Sequence, residues 1–427
     1  LFIMSQKIFV IGGGGREHAL CWKIARSPLV GSILCAPGNP GIAQIAQTRA
    51  VSLEDLSALL ELAREFQPDL TIVGPDNPLA LGIVDLFTAN GFKTFGPNQK
   101  AAQFEASKVF TKEFCLRHHI PTARSEQFTD VTKALACSRD WPFPQVIKAD
   151  GLALGKGVII AQNAAEAEAA IDDMLVKKVF GAAGEKILIE EFLTGPEISA
   201  HAFVDGKTFA MMPIAQDHKR VGEGDTGLNT GGMGTFSPVP FASDADIAQI
   251  AEEVFERFME GCRKENIDYR GILFPGLILT TDGPKVLEFN ARFGDPETQS
   301  YMRRMESDLV EVCHACVDGT LAGQEIRWNT QTAICVVVAS GGYPGNYQKD
   351  NPITGLDHAS EMPGVVVFHA GTSLKDGAVI NSGGRVLGVT ALEDSLPAAR
   401  QRAYAAVDQI HFSGAFCRRD IAAKGLV

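Results

Sequence analysis

The first thirty residues constrain the fold more than any other stretch of this chain. An apolar run, Lys7 to Ile11, ends in Gly12-Gly13-Gly14-Gly15, and a helical pattern follows at once from Arg16 through Arg26. Strand, glycine turn and helix in that order open a parallel sheet, because a parallel neighbour is reached only through a crossover. The alternation continues with short buried-strand candidates at Ile33-Leu34-Cys35, Leu70-Thr71-Ile72-Val73 and Lys93-Thr94-Phe95. Between them, Leu53 to Phe66 carries Leu56, Leu59, Leu60 and Ala63 on one helical face. The pattern predicts an N-terminal doubly wound, Rossmann-like parallel sheet over residues 4–121, ending near Ile120-Pro121 after a helix from about Lys100.

The rest of the chain changes character twice. Residues 122–193 read as a small α+β lid. In it, Trp141-Pro142-Phe143-Pro144 precedes a strand Gln145 to Ala149, a glycine-rich loop and a strand Val158 to Ala161. An alanine-rich helix, Ala164 to Lys178, and a strand, Lys186 to Glu190, complete it. Residues 194–328 form a larger mixed central region. Residues 329–427 show Gly/Pro-punctuated strands and one late helix, Pro397 to Ile410, and are expected to form a small β-rich domain.

Composition narrows the function classes. Lys plus Arg number 39 against 51 Asp plus Glu, a formal charge of −12, which argues against a nucleic-acid or anionic-membrane partner. No apolar run approaches the ~18–20 residues of a membrane span. Leu1 to Ile3, ahead of Met4, are too few for a signal peptide. The nine scattered cysteines suit a reducing cytoplasm. Cys313 and Cys316 form a C-x-x-C without a second pair, inside a helical stretch, and are assigned to packing rather than to a metal.

The chemistry concentrates in five segments. Four glycines between a strand and a helix offer N–H groups and the positive helix end to an anion. The dinucleotide spacing G-x-G-x-x-G is not met, since Gly12 and Gly14 lead to Glu17, and Gly13 and Gly15 to His18. Cys35-Ala36-Pro37-Gly38 stands where a ribose-binding acid would close the second strand, so phosphate is favoured over NAD. The loop Pro37-Gly38-Asn39-Pro40-Gly41 leaves the sheet at the same edge.

The second segment, Lys148 to Val158, sets Gly151, Gly155, Lys156 and Gly157 between two strands, a flap able to cover a polyphosphate. Lys108 and Lys148 can neutralise its charge. In the third, the strand Lys186 to Glu190 runs into Glu191 through Glu197, which can offer adenine its backbone and a ribose its carboxylate, although alone this segment reads as an exposed acidic turn. The fourth, Leu287 to Glu297, is the most specific. On a strand, Glu288 and Asn290 share one face and Leu287 and Phe289 the other. Carboxylate plus amide oxygen suits Mg²⁺, and Arg292 just beyond can stabilise a transferring phosphoryl group. In the fifth, Gln216-Asp217-His218-Lys219-Arg220 precedes a glycine-rich run to Gly234 and reads as a substrate-facing loop, with His218 a solvated member rather than a base.

In combination these segments resemble the phosphoribosylamine–glycine ligases, a family of ATP-grasp fold. The likeness runs through Val10 to Leu20, Pro37 to Gly41, Gly74-Pro75-Asp76-Asn77-Pro78-Leu79, Lys148 to Val158, Gln216 to Arg220, Asn229 to Gly234 and Glu288 to Glu297. It extends through Gly342 to Gly345, Phe368 to Thr372 and Gly383 to Leu387. The resemblance implies an ATP-grasp lid and central domain, and ligation of glycine to 5-phosphoribosylamine through a glycyl phosphate in purine biosynthesis. It implies that Glu288 and Asn290 hold Mg²⁺ or Mn²⁺, and that Lys108, Lys148, Gly151, Gly155, Lys156 and Gly157 hold ATP phosphates. Glu190 and Leu193 would meet adenine and Glu197 the ribose; Arg292 would stabilise charge, and Asp217 and Asp295 would orient the amines. Gly13, Gly14, Gly15, Arg16, Gly38, Asn39, Pro40 and Gly294 would meet the phosphoribosyl substrate. The partners implied are these small molecules and a transient contact with the preceding purine-pathway enzyme, for a monofunctional chain.

Gly14, Ala106 and Leu228 depart from residues common in the family, and Leu273 to Leu277 lack the further acidic metal ligand of many ATP-grasp enzymes. Another ATP-grasp carboxylate–amine ligase or carboxylase is the alternative.

Overall fold

The computed structural model describes residues 5–151 and 157–426. Gly155 and Lys156 of the expected flap lie outside the described residues. Ile8, Phe9, Val10 and Ile11 have no exposed surface, so a strand buried on both faces must be central, and Gln6–Gly12 is. The sheet is parallel, in the order Gln47–Thr48, Val30–Pro37, Gln6–Gly12, Leu70–Val73, Thr94–Phe95. The order in which strands are added reverses at the first strand, with the second and third on one side and the fourth and fifth on the other, and there such sheets open a crevice at their carboxyl edge. The glycine turn and Gly74-Pro75 both leave the sheet there.

Caps correct two helix limits. Asp55 accepts the N–H of Ala58 (2.9 Å) and starts its helix at Leu56 rather than Leu53. The single helix expected from about Lys100 is two, Gln99–Ala106 and Lys108–Arg117. Ser107 is extended (φ −133°, ψ 113°), and its hydroxyl caps Phe110 N–H at 3.1 Å while reaching Asp150 at 3.0 Å. A serine can break a helix here because its side chain replaces the backbone partner it removes.

The segment Ser125–Glu191 builds a four-stranded antiparallel sheet in the order Ser125–Phe128, Ile187–Glu191, Gln145–Ala149, Val158–Ala161. Helices Val131–Asp140 and Ala164–Ile171 cover it through Trp141, Ile147, Ile171, Met174 and Ile189. Further along, Glu197–Ser199, Ala202–Asp205 and Gly283–Asn290 all pair with the long strand Arg270–Thr280. Beneath this sheet Phe258 meets Phe104 at 4.6 Å and Phe289 at 5.0 Å, ring centre to ring centre. The sheet of the C-terminal region (Thr332–Ser340, Arg385–Glu393, Val365–His369) takes in Gln216–Asp217 and Gly234–Ser237 from the central region. No helix among the described residues is long and apolar enough to cross a membrane. Cys313 and Cys316 are buried on the helix Leu309–Asp318, and burial raises both thiols above the ordinary range.

The C-terminal region docks on the glycine loops. His369 N–H donates to His18 Nδ1 (2.8 Å), while Asn39 Nδ2 donates to the carbonyls of His369 (2.8 Å) and Gly13 (2.9 Å). Burial, with His369 nearby, pulls His18 down to about 3, and burial pulls His369 down to about 4. The unfolded chain takes up protons at both histidines below pH ~6.5, whereas the folded chain does not until the lower values. Their contribution is therefore complete above pH ~6.5 and is lost as pH falls towards 4. Urea midpoints measured from pH 8 to 5 should fall steeply below 6.5, and His18→Gln should flatten that slope; an unchanged slope would contradict the assignment.

Candidate active site

Phe289 projects into the aromatic core, which turns its neighbours Glu288 and Asn290 to the opposite side of the strand. The expected alternation has one irregularity. Gly276 pairs with Glu288 but Leu277 with Val286, so Leu287 is the extra residue of a bulge, and its carbonyl accepts from Lys148 Nζ at 3.0 Å. Glu288 is solvent-exposed, and no side chain hydrogen bonds to its carboxylate among the described residues. The surrounding protein mass pushes its pKa up, yet Lys219, Lys148 and Lys108 together hold it below the usual carboxylate range. Asn290 Oδ1 accepts from Arg292 Nη2 at 3.0 Å. An open, anionic carboxylate beside an amide oxygen fits a hard divalent cation. Among the described residues there is no cluster of three or more acidic, His or Cys ligands, so such an ion would depend on substrate oxygens for its other ligands.

The lysines are organised by a carboxylate that pattern alone could not place. Glu190 is buried between Lys112 (2.9 Å) and Lys148 (2.7 Å). Desolvation opposes its ionisation, but the two ammonium groups outweigh that and hold it low. Its side chain is thus occupied, which leaves the main chain as the part able to meet a base. Lys108 donates to Gly151 O (2.8 Å), and burial lowers its basicity. Asp150 accepts Ser107 Oγ and Val109 N–H, tying the entry of the flap to the start of the helix Lys108–Arg117. Gly151 has φ +136°, and a Cβ there would lie 2.8 Å from the Ala183 Cβ. Gly157 O accepts from Ala149 N at 2.8 Å. Leu193 is half-buried, and Glu197 is exposed on the short strand Glu197–Ser199.

Asp217 and Asp295 come from different elements, the strand Gln216–Asp217 and the turn after Asn290. Asp217 pairs with Lys219 Nζ at 2.8 Å. Burial works against the Lys219 charge, and Asp217, Glu297 and Glu288 overcome it. A Cβ on Gly232 (φ +116°) would stand 2.7 Å from Asp217 Oδ1 and 2.6 Å from Pro296, so this position needs glycine. Asp295 accepts from Gln299 (2.7 Å) and faces Arg385 Nη2 (3.4 Å). Burial raises it, but Arg385 and Arg16 keep it ionised. Arg385 also donates to the carbonyls of Asp295 (2.6 Å) and Gly231 (2.7 Å), a C-terminal contribution that the motifs did not identify. His218, expected in solvent, is buried. Its Nδ1 lies 2.9 Å from Gly234 O, and its Nε2 accepts Ala422 N–H, so it is a neutral strut between loop and C-terminus.

A cavity of about 310 Å³ is lined by Gly13, Gly14, Arg16, Glu17, Gly38 and Asp295. It joins the expected phosphoribosyl loops to the turn after Glu288 and Asn290. Two expectations need correcting in detail. The Gly14 N–H is not free for an anion, because Glu17 accepts it at 2.6 Å while also pairing with Arg16 at 2.5 Å. Asn39 is buried with both amide hydrogens and its oxygen engaged by the protein, so it shapes the loop from within. Gly15 packs beside Gln299, and Pro40 is half-buried at the loop tip. Gly294 leaves room for Glu297 and His201, which a Cβ would approach to 2.5 and 2.8 Å.

Comparison with known proteins identifies the family and the fold. Residues 6–105, 106–298 and 333–424 match the N, ATP-grasp (A) and C domain models of phosphoribosylglycinamide synthetase. The phosphoribosylamine–glycine ligase of Vibrio cholerae is 48% identical over 424 residues, 99% of each chain. That of Escherichia coli K12 is 50% identical over 420 residues, covering 97% of this chain and 98% of the other. The solved structure of the Thermotoga maritima phosphoribosylamine–glycine ligase superposes with a TM-score of 0.86 at 32% identity, covering 97% and 100% of the two chains. A Hydrogenobacter thermophilus biotin carboxylase domain, solved with MgADP, shares the fold at TM-score 0.72 and 16% identity, covering 97% and 92%. Matched end to end in both sequence and fold, the chain belongs to the phosphoribosylglycinamide synthetase family.

Proposed function

We propose that the chain joins glycine to 5-phosphoribosylamine with ATP, giving glycinamide ribonucleotide, ADP and phosphate in purine biosynthesis. The observation that carries this is the single strand and turn Glu288–Glu297. It presents an open carboxylate, an amide oxygen and an anchored guanidinium, and then supplies Asp295 to the glycine-loop cavity. Phosphoryl chemistry and the amine substrate are thereby a few residues apart.

A glycine carboxylate oxygen attacks the γ-phosphorus and the bond to ADP breaks. The phosphoribosylamine nitrogen then attacks the acyl carbon of the glycyl phosphate, the carbon–oxygen bond breaks, and phosphate leaves as the nitrogen loses a proton. Phosphorylation is needed because a carboxylate is a poor electrophile. A divalent ion, Mg²⁺ or Mn²⁺, held by Glu288 and Asn290 would supply charge neutralisation at the phosphates. Arg292 offers a fixed guanidinium where negative charge grows. Lys108, Lys148 and the flap Gly151–Gly157 bind ATP phosphates, the main chain at Glu190 and Leu193 receives adenine, and Glu197 receives the ribose. Asp295, kept anionic by its arginines, orients the amine, and Asp217 with Lys219 borders the glycine site. Gly13 to Arg16, Gly38 to Pro40 and Gly294 shape the phosphoribosyl pocket. Residues 4–121, 122–193, 194–328 and 329–427 serve as the four working units, in a cytoplasmic enzyme that meets the preceding pathway enzyme transiently.

Labelled glycine, ATP and freshly made phosphoribosylamine should yield labelled glycinamide ribonucleotide, with ADP release that requires glycine and ignores bicarbonate. Release driven by bicarbonate would point to a carboxylase instead. Glu288→Ala should lower kcat by at least ~100-fold, on the order of losing one preorganised transition-state contact; unchanged turnover would remove the metal assignment. Arg292→Lys should reduce kcat far more than ATP affinity, since a point charge cannot reproduce the planar fork. Equal losses would contradict it.

A further inference from the structure

We propose that Glu105 is the positioning residue for Arg292, setting the guanidinium through a contact made from the N-terminal unit; this rests on the role given to Arg292 above. Glu105 lies in the last turn of the helix Gln99–Ala106, where the negative helix end disfavours a carboxylate. It is also mostly buried, with 9% of its side chain exposed. A charge in so unfavourable a place needs partners, and it has two. Oε1 pairs with Arg292 Nη2 at 2.9 Å, and Oε2 accepts the Ala291 N–H at 2.8 Å.

Those two contacts hold the segment on which the site depends. Arg292 Nη2 is shared between Glu105 and Asn290 Oδ1 (3.0 Å), so one carboxylate steadies the guanidinium, the intervening peptide and, through the guanidinium, the amide oxygen offered to the metal. Arg292 Nη1 donates to Phe293 O at 3.3 Å. Desolvation leaves Glu105 above the usual carboxylate range; Arg292 and the Ala291 N–H favour its ionised form, and Asp76 opposes it, so the carboxylate depends on these two partners for its charge. Glu105 itself ends the N-domain match, and Arg292 lies in the ATP-grasp match. The pair therefore links the unit bearing the glycine-loop cavity to the strand that bears the proposed metal pair. Glu105 touches no reactant; it acts through its neighbour.

The test is a double-mutant cycle on the full chain, with kcat, KM for ATP and for glycine, and thermal midpoints measured for Glu105→Gln, Arg292→Lys and the pair. Glu105→Gln keeps the size but can satisfy only one of the two donors as an acceptor. It should lower kcat about tenfold or more with both KM values within about twofold. In the Arg292→Lys background the same change should cost less than about twofold, because its target is already gone. Multiplying losses, or a raised KM for ATP at unchanged kcat, would overturn the inference. Glu105→Asp, which keeps the charge on a shorter arm, serves as the second variant and should show the same kcat loss. Should both Glu105 variants fail to fold, the residue belongs to domain packing and the inference is overturned. Arg292→Lys with wild-type kcat would instead remove the Arg292 role itself, a result read without any Glu105 variant.

Discussion

The pairing of Gly283–Asn290 against Arg270–Thr280, pinned by Phe289 in the aromatic core, is the constraint on which the rest depends. A strand has a two-residue period, so burying Phe289 turns Glu288 and Asn290 to the opposite side. A slip of one residue would bury a carboxylate and expose a phenyl ring, which is why the register is firmly specified. The bulge at Leu287 adds to this by turning a carbonyl towards Lys148.

Around that strand the molecule accepts a costly concentration of charge. Glu105 with Arg292, Glu190 with two lysines, and Asp295 with Arg385 are all largely removed from water. Buried pairs of this kind add little net stability, because desolvation offsets their attraction, but removing one partner is expensive. Their value is geometric. Each pair crosses between elements far apart in the chain, so the helix Lys108–Arg117, the lid strand Ile187–Glu191 and the C-terminal strand Arg385–Glu393 are held to one centre. Preorganised charges then need no rearrangement when reactants arrive.

The C-terminal region is part of the same arrangement. His369 and Arg385 reach the glycine loops and the Asp295 turn, while His218 and Ala422 join the loop of Asp217 to the last residues of the chain. Each of these contacts joins one side chain, His18, Arg385 or His218, to a backbone N–H or C=O group, so the loop shape depends on those three side chains.

Local pattern was enough to read the parallel N-terminal sheet, a small α+β lid and the shared face of Glu288 and Asn290. Each follows from periodicity or from the backbone freedom of glycine, properties carried within a few neighbouring residues. Partners distant in sequence could not be read that way. Glu105 carried no local signal, Glu190 read only as the end of a strand, His218 as a solvated residue, and Arg385 had no assigned partner. The break at Ser107 needed Asp150, forty-three positions away, to engage its hydroxyl. The sequence alone thus determined which backbone elements form and which side chains are candidates for the chemistry. Only the tertiary structure decided which charges meet, because desolvation and pairing energies exist only once separate elements have excluded water from the space between them.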